Sequence, residues 1–534
     1  MKRTIVLAAM LASLTCQARV DAEWKSPLPA HKAWKGEKVS AIVSVSASEP
    51  LEGLRLESGD LVCGKSVIDA SCVSLNFLSE IVGDELLEQY NQCGGRDTVN
   101  YRPVYAADLI DDRKEARLEA GKTQPVWVSG SIPSDAVPGR YRGTVSIRDS
   151  RKVLATLKYS LRVCDRTLPP LSESPFHLDL WQNPYAVARF HDVPLWSREH
   201  FEYMRPVMKL LADAGQKVIT ATIMDRPWNG QTEDPFGPMV TKIKRADGSW
   251  LYDYTVFDRW VEYMMSLGID GQINCYTLIP WALTFDYFDQ ASDSKASVYA
   301  EPGSGEYEAY WGGVIRDFAA HLRQKGWFDK TYIAMDERPQ KAMQAVLDLI
   351  DRVEPEFKVA LAGSYHEQIA DRIDDLCIAF GEEYPAGVVE ARRKAGLIST
   401  YYTCCSEKYP NTFIASNPAE ASWLPLVALS RDVDGYLRWA YNSWTENPMK
   451  DARFRTWAAG DCYMVYPGGL SSVRFERLKE GLQDYSKASI LLDEWGRGTR
   501  KSAALEAALK LFTREELSAN GPERALEALR KAMD

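Results

Sequence analysis

The chain has 534 residues, too many for one ordinary hydrophobic core, so two or three domains are expected. A net charge of −10 and a pI near 5.4 exclude a nucleic-acid partner, which would need a clustered basic face. Ten cysteines without a CxxC pair signal neither a zinc ribbon nor a disulfide framework, and six histidines without HExxH form no metal constellation. No metal and no cofactor are therefore expected.

Met1-Lys2-Arg3 is basic and leads into an apolar run from Thr4 to Leu14, with small residues near Ala18 and Ala22. That is the layout of a secretory signal, and the run is too short to span a bilayer. Residues 1–22 are read as this signal, cleaved after Ala18 or Ala22, which leaves a secreted or periplasmic protein. Cys16 offers lipid anchoring as the alternative, although Ser13-Leu14-Thr15 makes a poor lipidation box. No later stretch approaches an integral membrane span. Most of the remaining cysteines are expected as buried thiols, and the adjacent Cys404 and Cys405 are poorly placed to bridge each other.

Residues 23–169 are β-rich. The run Lys38 to Val45 alternates apolar and small polar residues, and 139–147 turns at Asp149-Ser150-Arg151 into 153–161. Period-two alternation on both sides of a polar turn reads as a hairpin of an all-β sandwich. Thr167-Leu168-Pro169-Pro170 reads as its linker.

Over 170–495 the rhythm changes to strand, then helix. Strands are expected near 176–181, 217–223, 271–278, 330–337, 358–363, 375–380, 396–403 and 435–442. The clearest helices are 197–214, 256–267, 306–325, 339–353 and 473–492, and the one after Ser364 is weak. Eight strands interleaved with helices over about 320 residues give an α/β fold, a (β/α)8 TIM-like barrel preceded by the sandwich. A doubly wound sheet, or a barrel with a missing or extra strand, is the alternative. A hairpin is expected within 239–254, where Ala246-Asp247-Gly248 supplies the turn. Residues 496–534 read as a C-terminal helical extension.

Barrel enzymes place their chemistry at the C-terminal ends of strands. The fourth strand ends in Asp336-Glu337-Arg338-Pro339. Successive strand side chains alternate faces, so both carboxylates reach the mouth only if the chain bends, and Pro339 at a helix start makes that bend credible. Acidic residues just before a helix also complement its dipole, so the pair has a purely structural reading as well. On the first strand His177, Asp179 and Trp181 share one face, and on the third Asn274 and Tyr276 do. These too can be a satisfied polar layer inside the barrel. Later strand ends add Glu382-Glu383-Tyr384, Tyr401-Tyr402 and Trp439-Ala440-Tyr441-Asn442.

Two carboxylates point to glycoside hydrolysis, and flat aromatic rings, 11% of the chain, suit the apolar faces of sugars. A conventional retaining enzyme needs a second carboxylate about 5–5.5 Å away across the scissile bond. The seventh strand, a common source for it, ends in Thr403-Cys404-Cys405. Adjacent acids suit instead a route in which the substrate's own 2-acetamido oxygen attacks the anomeric carbon. A conventional pair of Glu337 with Glu383 or Glu446, and a non-catalytic glycan-binding protein on the same scaffold, are the alternatives.

At these residues the sequence resembles glycoside hydrolase family 123, the β-N-acetylgalactosaminidase family and its relatives. The resemblance rests on Asp179-Leu180-Trp181-Gln182-Asn183-Pro184, on Tyr332 to Glu337 and on Tyr401 to Cys405. It also rests on Arg438 to Trp444, Ala459-Gly460-Asp461 through Tyr466-Pro467-Gly468, and Glu480 to Tyr485. It implies retaining, substrate-assisted removal of terminal β-linked N-acetylgalactosamine from a glycan or glycoconjugate. Asp336 would then steady the acetamido group and Glu337 would act as acid and base. The candidate rim comprises Asp179, Trp181, Gln182, Trp228, Asn274, Tyr276, Trp281, Tyr365, Tyr401, Tyr402, Trp439, Tyr441 and Asn442.

Overall fold

A computed structural model describes residues 19–26, 28–87, 93–96 and 100–534. The expected signal lies almost wholly outside these residues. The chain divides into two compact units: the first runs up to Leu78 and resumes over 111–167, and the second comprises 79–110 and 168–534.

The N-terminal strands are β1 (Val20–Trp24), β2 (Ala30–Lys35), β3 (Lys38–Ala47), β4 (Leu51–Ser58), β5 (Leu61–Cys63) and β6 (Ser66–Ile68). After them come β7 (Val73–Asp84), β8 (Pro103–Ile110), β9 (Ala116–Leu118), β10 (Thr123–Ser131), β11 (Gly139–Arg148) and β12 (Val153–Thr167). In the first unit one sheet runs β1-β3-β10-β7 and the other β2-β12-β11-β4-β9, with β5 on β11 and β6 on β5. Alternation in β3 buries Val39, Ala41, Val43, Val45 and Ala47 on one face. These join Val126, Val128, Tyr141, Val145, Ile147 and Leu161 in a single core between the sheets, a β-sandwich. The β11–β12 turn is set by Asp149, whose Oδ1 accepts from the amides of Arg151 and Lys152 at 2.7 and 2.8 Å.

Residues 79–110 leave this pattern and group with the second unit. Asp84 pairs there with Arg96 at 2.9 Å and accepts from the Ala459 amide, and Asp108 pairs with Arg474 at 3.0 Å. Cys93 forms a disulfide with Cys405, 312 residues away, so these two cysteines are not the free thiols that the spacing suggests.

The barrel strands are β13 (His177–Leu180), β14 (Val218–Thr222), β17 (Gln272–Tyr276), β20 (Thr331–Met335), β21 (Lys358–Ala362), β22 (Asp375–Ala379), β23 (Ile398–Tyr402) and β24 (Gly435–Arg438). All are parallel, and closure comes from Leu178 against Gln216 and the Lys217 amide donating to Leu178 O at 3.0 Å. Between them run α1 (Pro184–His191), α2 (Arg198–Asp213), α3 (Thr255–Ser266), α4 (Gly305–Lys325), α5 (Gln340–Val353), α6 (Val388–Lys394) and α7 (Glu420–Ser430). Beyond the barrel come α8 (Val473–Trp495), α9 (Ala503–Leu509), α10 (Arg514–Asn520) and α11 (Glu523–Ala532). An inserted sheet of β15 (Thr241–Lys244), β16 (Trp250–Asp253), β18 (Thr284–Asp289) and β19 (Ser294–Tyr299) holds the expected hairpin and a second one. Only glycine lets β24 lie on β13: a Cβ on Gly435 would stand 1.9 Å from His177 O. Among the described residues no helix is long and apolar enough to cross a membrane.

A hydrogen-bonded polar chain fills part of the barrel interior. His177 Nε2 meets Asp375 Oδ2 at 3.2 Å, Gln272 donates to Asp375 and Asn274, and Asn274 donates to Asp179 Oδ2 at 3.4 Å. Asp179 Oδ1 has no partner of good geometry. Burial raises the Asp179 carboxyl to about 7, against the pull of His177 and with the push of Asp375. A carboxyl raised in the folded state stabilises the fold below its unfolded pKa, and that contribution is lost as pH rises through about 7. Asp179→Asn, which does not titrate, should therefore gain stability over wild type between pH 5 and pH 8, by on the order of a few kcal/mol. Calorimetric midpoints that differ by the same amount at both pH values would contradict this.

Candidate functional site

The fully buried β20 ends at Met335, so Asp336 and Glu337 lie in the bend before Pro339 caps α5. Strand alternation no longer governs them. Asp336, half-buried, accepts from the Trp281 indole at 2.9 Å through Oδ2 and from the Glu337 amide at 2.7 Å through Oδ1. Glu337, exposed, turns elsewhere and accepts the Tyr402 hydroxyl at the end of β23. The neighbouring acids thus face different walls of one barrel mouth. Desolvation lifts the Asp336 carboxyl to about 6; the Trp281 indole and the Glu337 amide pull it down, the Glu337 charge pushes it up and Arg338 lowers it. Burial, followed by the Glu337 charge, raises the Tyr402 phenol, which stays a donor. The Trp281 amide donates to Pro227 O at 3.0 Å, which ties the Asp336 side of the mouth to the loop carrying Trp228.

Aromatic rings line that side. Trp181 stacks on Trp228 with centroids 4.9 Å apart, and Tyr276 packs on both at 4.6 and 4.9 Å. A small cleft is lined by Trp181, Trp228, Asn229, Gln231, Thr232, Phe236 and Trp439. The Trp439 indole is held at 3.2 Å by Asp461, which also pairs with Arg438 at 2.6 Å. Both members of that pair are fully buried, and Arg438 donates further to Asn411 at 2.8 Å. Breaking such a pair from one side strands a buried charge, so it fixes the position of Trp439. Phe236, Arg438, Asp461 and Trp457, which packs edge-on to Trp439, belong to this wall and are not among the residues chosen from strand ends. Arg438 and Asp461 do lie within the motifs that carry the family resemblance.

The structure brings together Asp336, Glu337, Trp181, Trp228, Tyr276, Trp281, Tyr402 and Trp439. Tyr365 is half-buried on the loop after β21, beside the bend: a Cβ on Gly363 would lie 3.6 Å from Glu337 Cα. Six expected rim residues are scaffold instead. Asp179 and Asn274 share the correct strand faces but sit in the buried polar chain beneath the mouth. Gln182 is fully buried and bonds main-chain groups of Leu180, Val218 and Thr220, which sews β13 to β14. Tyr401 points away from the mouth and donates to Leu424 O at 2.6 Å, because its neighbour Tyr402 takes the inner face. Tyr441 likewise donates to Val207 O at 2.9 Å. Asn442 exchanges two 2.9 Å hydrogen bonds with the Asn183 main chain. Glu382 is engaged with Ser364 and the Tyr365 amide, and Glu383 and Glu446 are exposed.

The segment after β23 is anchored on both sides of Tyr402's exit. Cys405 is tied to Cys93, the Cys404 amide donates to Glu407 at 3.0 Å, and Asn411 bonds the carbonyls of Cys404 and Glu407. Among the described residues no group of three or more His, Cys, Asp or Glu is arranged to hold a metal.

The family model described as glycoside hydrolase 123, catalytic domain, matches residues 181–491, and that for the glycoside hydrolase 123 N-terminal domain matches 20–149. No curated protein matches the sequence. Among solved structures the chain is similar to a family 123 glycoside hydrolase from Clostridium perfringens, studied for glycolipid glycan hydrolysis. Identity is 26% and the TM-score 0.87, over 96% of this chain and 97% of that one. Far weaker likenesses include a candidate glycoside hydrolase from Bacteroides vulgatus ATCC 8482, with 10% identity and a TM-score of 0.33 over 88% of this chain and 79% of that one. A Bacteroides ovatus GH5 xyloglucanase has 8% identity and a TM-score of 0.30 over 86% of this chain and 100% of that one.

The hydrogen bond to Asp336 gives a direct test of the site's electrostatics. The Asp336 carboxyl, followed by carbon-13 resonance, should titrate near pH 6. In Trp281→Phe, which keeps an aromatic ring and removes the N–H, the midpoint should move up. A wild-type midpoint near 4, or no movement in the variant, would contradict this geometry.

Proposed function

The chain belongs to glycoside hydrolase family 123, and on that premise we propose that it removes terminal β-linked N-acetylgalactosamine with retention, by substrate-assisted catalysis. The observation that carries this reading is the adjacent pair Asp336 and Glu337 held apart by different partners, Trp281 and Tyr402. At the end of β23, where a second carboxylate would serve a conventional retaining route, stand Thr403, Cys404 and the disulfide-bonded Cys405.

In the first step the acetamido carbonyl oxygen bonds to C1 as the bond from C1 to the leaving oxygen breaks. That oxygen takes the proton of Glu337. Positive charge develops on the acetamido nitrogen, whose N–H faces the Asp336 carboxylate, so Asp336 stabilises the transition state more than the ground state. In the second step water attacks C1 from the vacated side, gives its proton to Glu337 and opens the oxazoline. Two inversions restore the β configuration. Trp281, exposed, and Trp439, half-buried, offer ring faces for the sugar beside the buried stack of Trp181 on Trp228.

Glycolipid glycans are the proposed substrate class, by likeness to the Clostridium perfringens enzyme. We also read the basic and apolar N-terminus as an export signal of a secreted or periplasmic protein, cleaved after Ala18 or Ala22, with a Cys16 anchor as the alternative. Because β1 begins at Val20 and pairs with β3, cleavage after Ala18 keeps that strand whole.

Glu337→Gln should lower kcat on an aryl β-N-acetylgalactosaminide by about 10²–10⁴-fold. The same aglycone on a 2-hydroxyl sugar should react poorly with wild type, and hydrolysis should fall as pH drops through about 6, where Asp336 protonates. Turnover close to wild type in Glu337→Gln, or equal rates on the two sugars, would overturn the proposal.

A further inference from the structure

Arg338 follows Glu337 directly and is half-buried. Its Nε is sealed from solvent without an acceptor, and among the described residues no carboxylate, carbonyl or hydroxyl accepts from its guanidinium. Other deeply seated arginines of this unit do have acceptors: Arg189 pairs with Asp234, Arg438 with Asp461, Arg474 with Asp108, and Arg392 bonds main-chain carbonyls. Arg338 cannot shed its charge, and an N–H that leaves water without an acceptor is costly unless something else supplies one.

The surroundings do not supply one. Asp336 feels its charge without bonding it, and Glu337 is engaged with Tyr402. Helix α5 begins two residues later with no acidic side chain in its first turn and no side-chain cap, so its positive end adds to the field of Arg338. The segment is fixed from both sides: Gly363 lies flush against Glu337, and Gln340 donates to Gln368 at 2.8 Å. A guanidinium presents a fork of donors that fits the oxygens of a carboxylate or sulfate far better than neutral hydroxyls.

We propose that Arg338 is an anion-recognising residue at the mouth of the site, so that favoured glycans carry a carboxylate or sulfate ester on the sugar next to the cleaved linkage. This rests on the reading that the barrel mouth holds the terminal N-acetylgalactosamine, with the next sugar outside it.

The test uses three disaccharides in which β-N-acetylgalactosamine is linked to a neutral hexose, to a glucuronic acid and to a sulfated hexose. Wild type should favour at least one acidic disaccharide over the neutral one by roughly tenfold in kcat/KM at low salt, and added salt should shrink the gap. Which acid is favoured identifies the anion. Arg338→Gln should abolish the preference and Arg338→Lys should keep part of it, with thermal midpoints confirming that both variants fold. Equal rates on all three in wild type, or a preference that survives in Arg338→Gln, would overturn the inference. Should none of the three be cleaved, the proposed activity fails on its own. Calorimetric binding of the acidic and neutral disaccharides to Glu337→Gln, with and without Arg338→Gln, then still decides whether Arg338 recognises the anion.

Discussion

A strand that continued through residues 336 and 337 would send their carboxylates to opposite faces of the sheet, and one of them would be lost to the layer facing the helices. The fourth strand of this barrel stops at Met335, and Pro339 starts the next helix, so only a short bend separates the two elements. Both acids therefore reach the mouth. Trp281 draws Asp336 toward the third-strand side and Tyr402 draws Glu337 toward the seventh. The two carboxylates differ accordingly. Asp336 is partly desolvated and shifted upward, and Glu337 is exposed and accepts the Tyr402 hydroxyl. Nearest neighbours in sequence thus occupy different electrostatic environments, as two distinct chemical roles require.

The rest of the second unit supports that mouth from below and from the sides. The polar chain from His177 to Asp179 fills the barrel under the aromatic floor, and the Arg438–Asp461 pair holds Trp439 at its edge. The Cys93–Cys405 disulfide ties residues 79–110, an excursion from the N-terminal strands, to the segment that follows Tyr402. Positioning of the site therefore draws on residues from nearly the whole length of the second unit.

Much of this was legible before any coordinates. All eight barrel strands fall inside the expected segments, because buried parallel strands are short apolar runs set between helical stretches. The five clear helices are amphipathic or well capped, as Ser304 and Gly326 cap α4. Helix α7 gave no signal because Glu420 to Leu429 are buried all round, which removes the periodic polar face. The rim was harder. Alternation placed Asp179 and Asn274 on the correct faces but carries no information about depth, and both lie below the mouth. Extending alternation past the strand ends misplaced Gln182, Tyr441 and Asn442, which lie where strand geometry has already ended. Tyr401 and Tyr402 are indistinguishable by type, and only the register of β23 decides which one faces Glu337. A disulfide between cysteines 312 residues apart leaves no spacing to read.

The central claim is that the substrate's own amide supplies the nucleophile while these two acids manage its charge and its proton. A series of aryl glycosides whose acetamido methyl carries zero, one, two and three fluorines tests it most directly, because each fluorine drains electron density from the attacking oxygen without changing the leaving group. The account predicts a steep, monotonic fall of log kcat/KM along the series, with no covalent enzyme adduct in the mass spectrum. A flat series, or an adduct on a carboxylate, would contradict it.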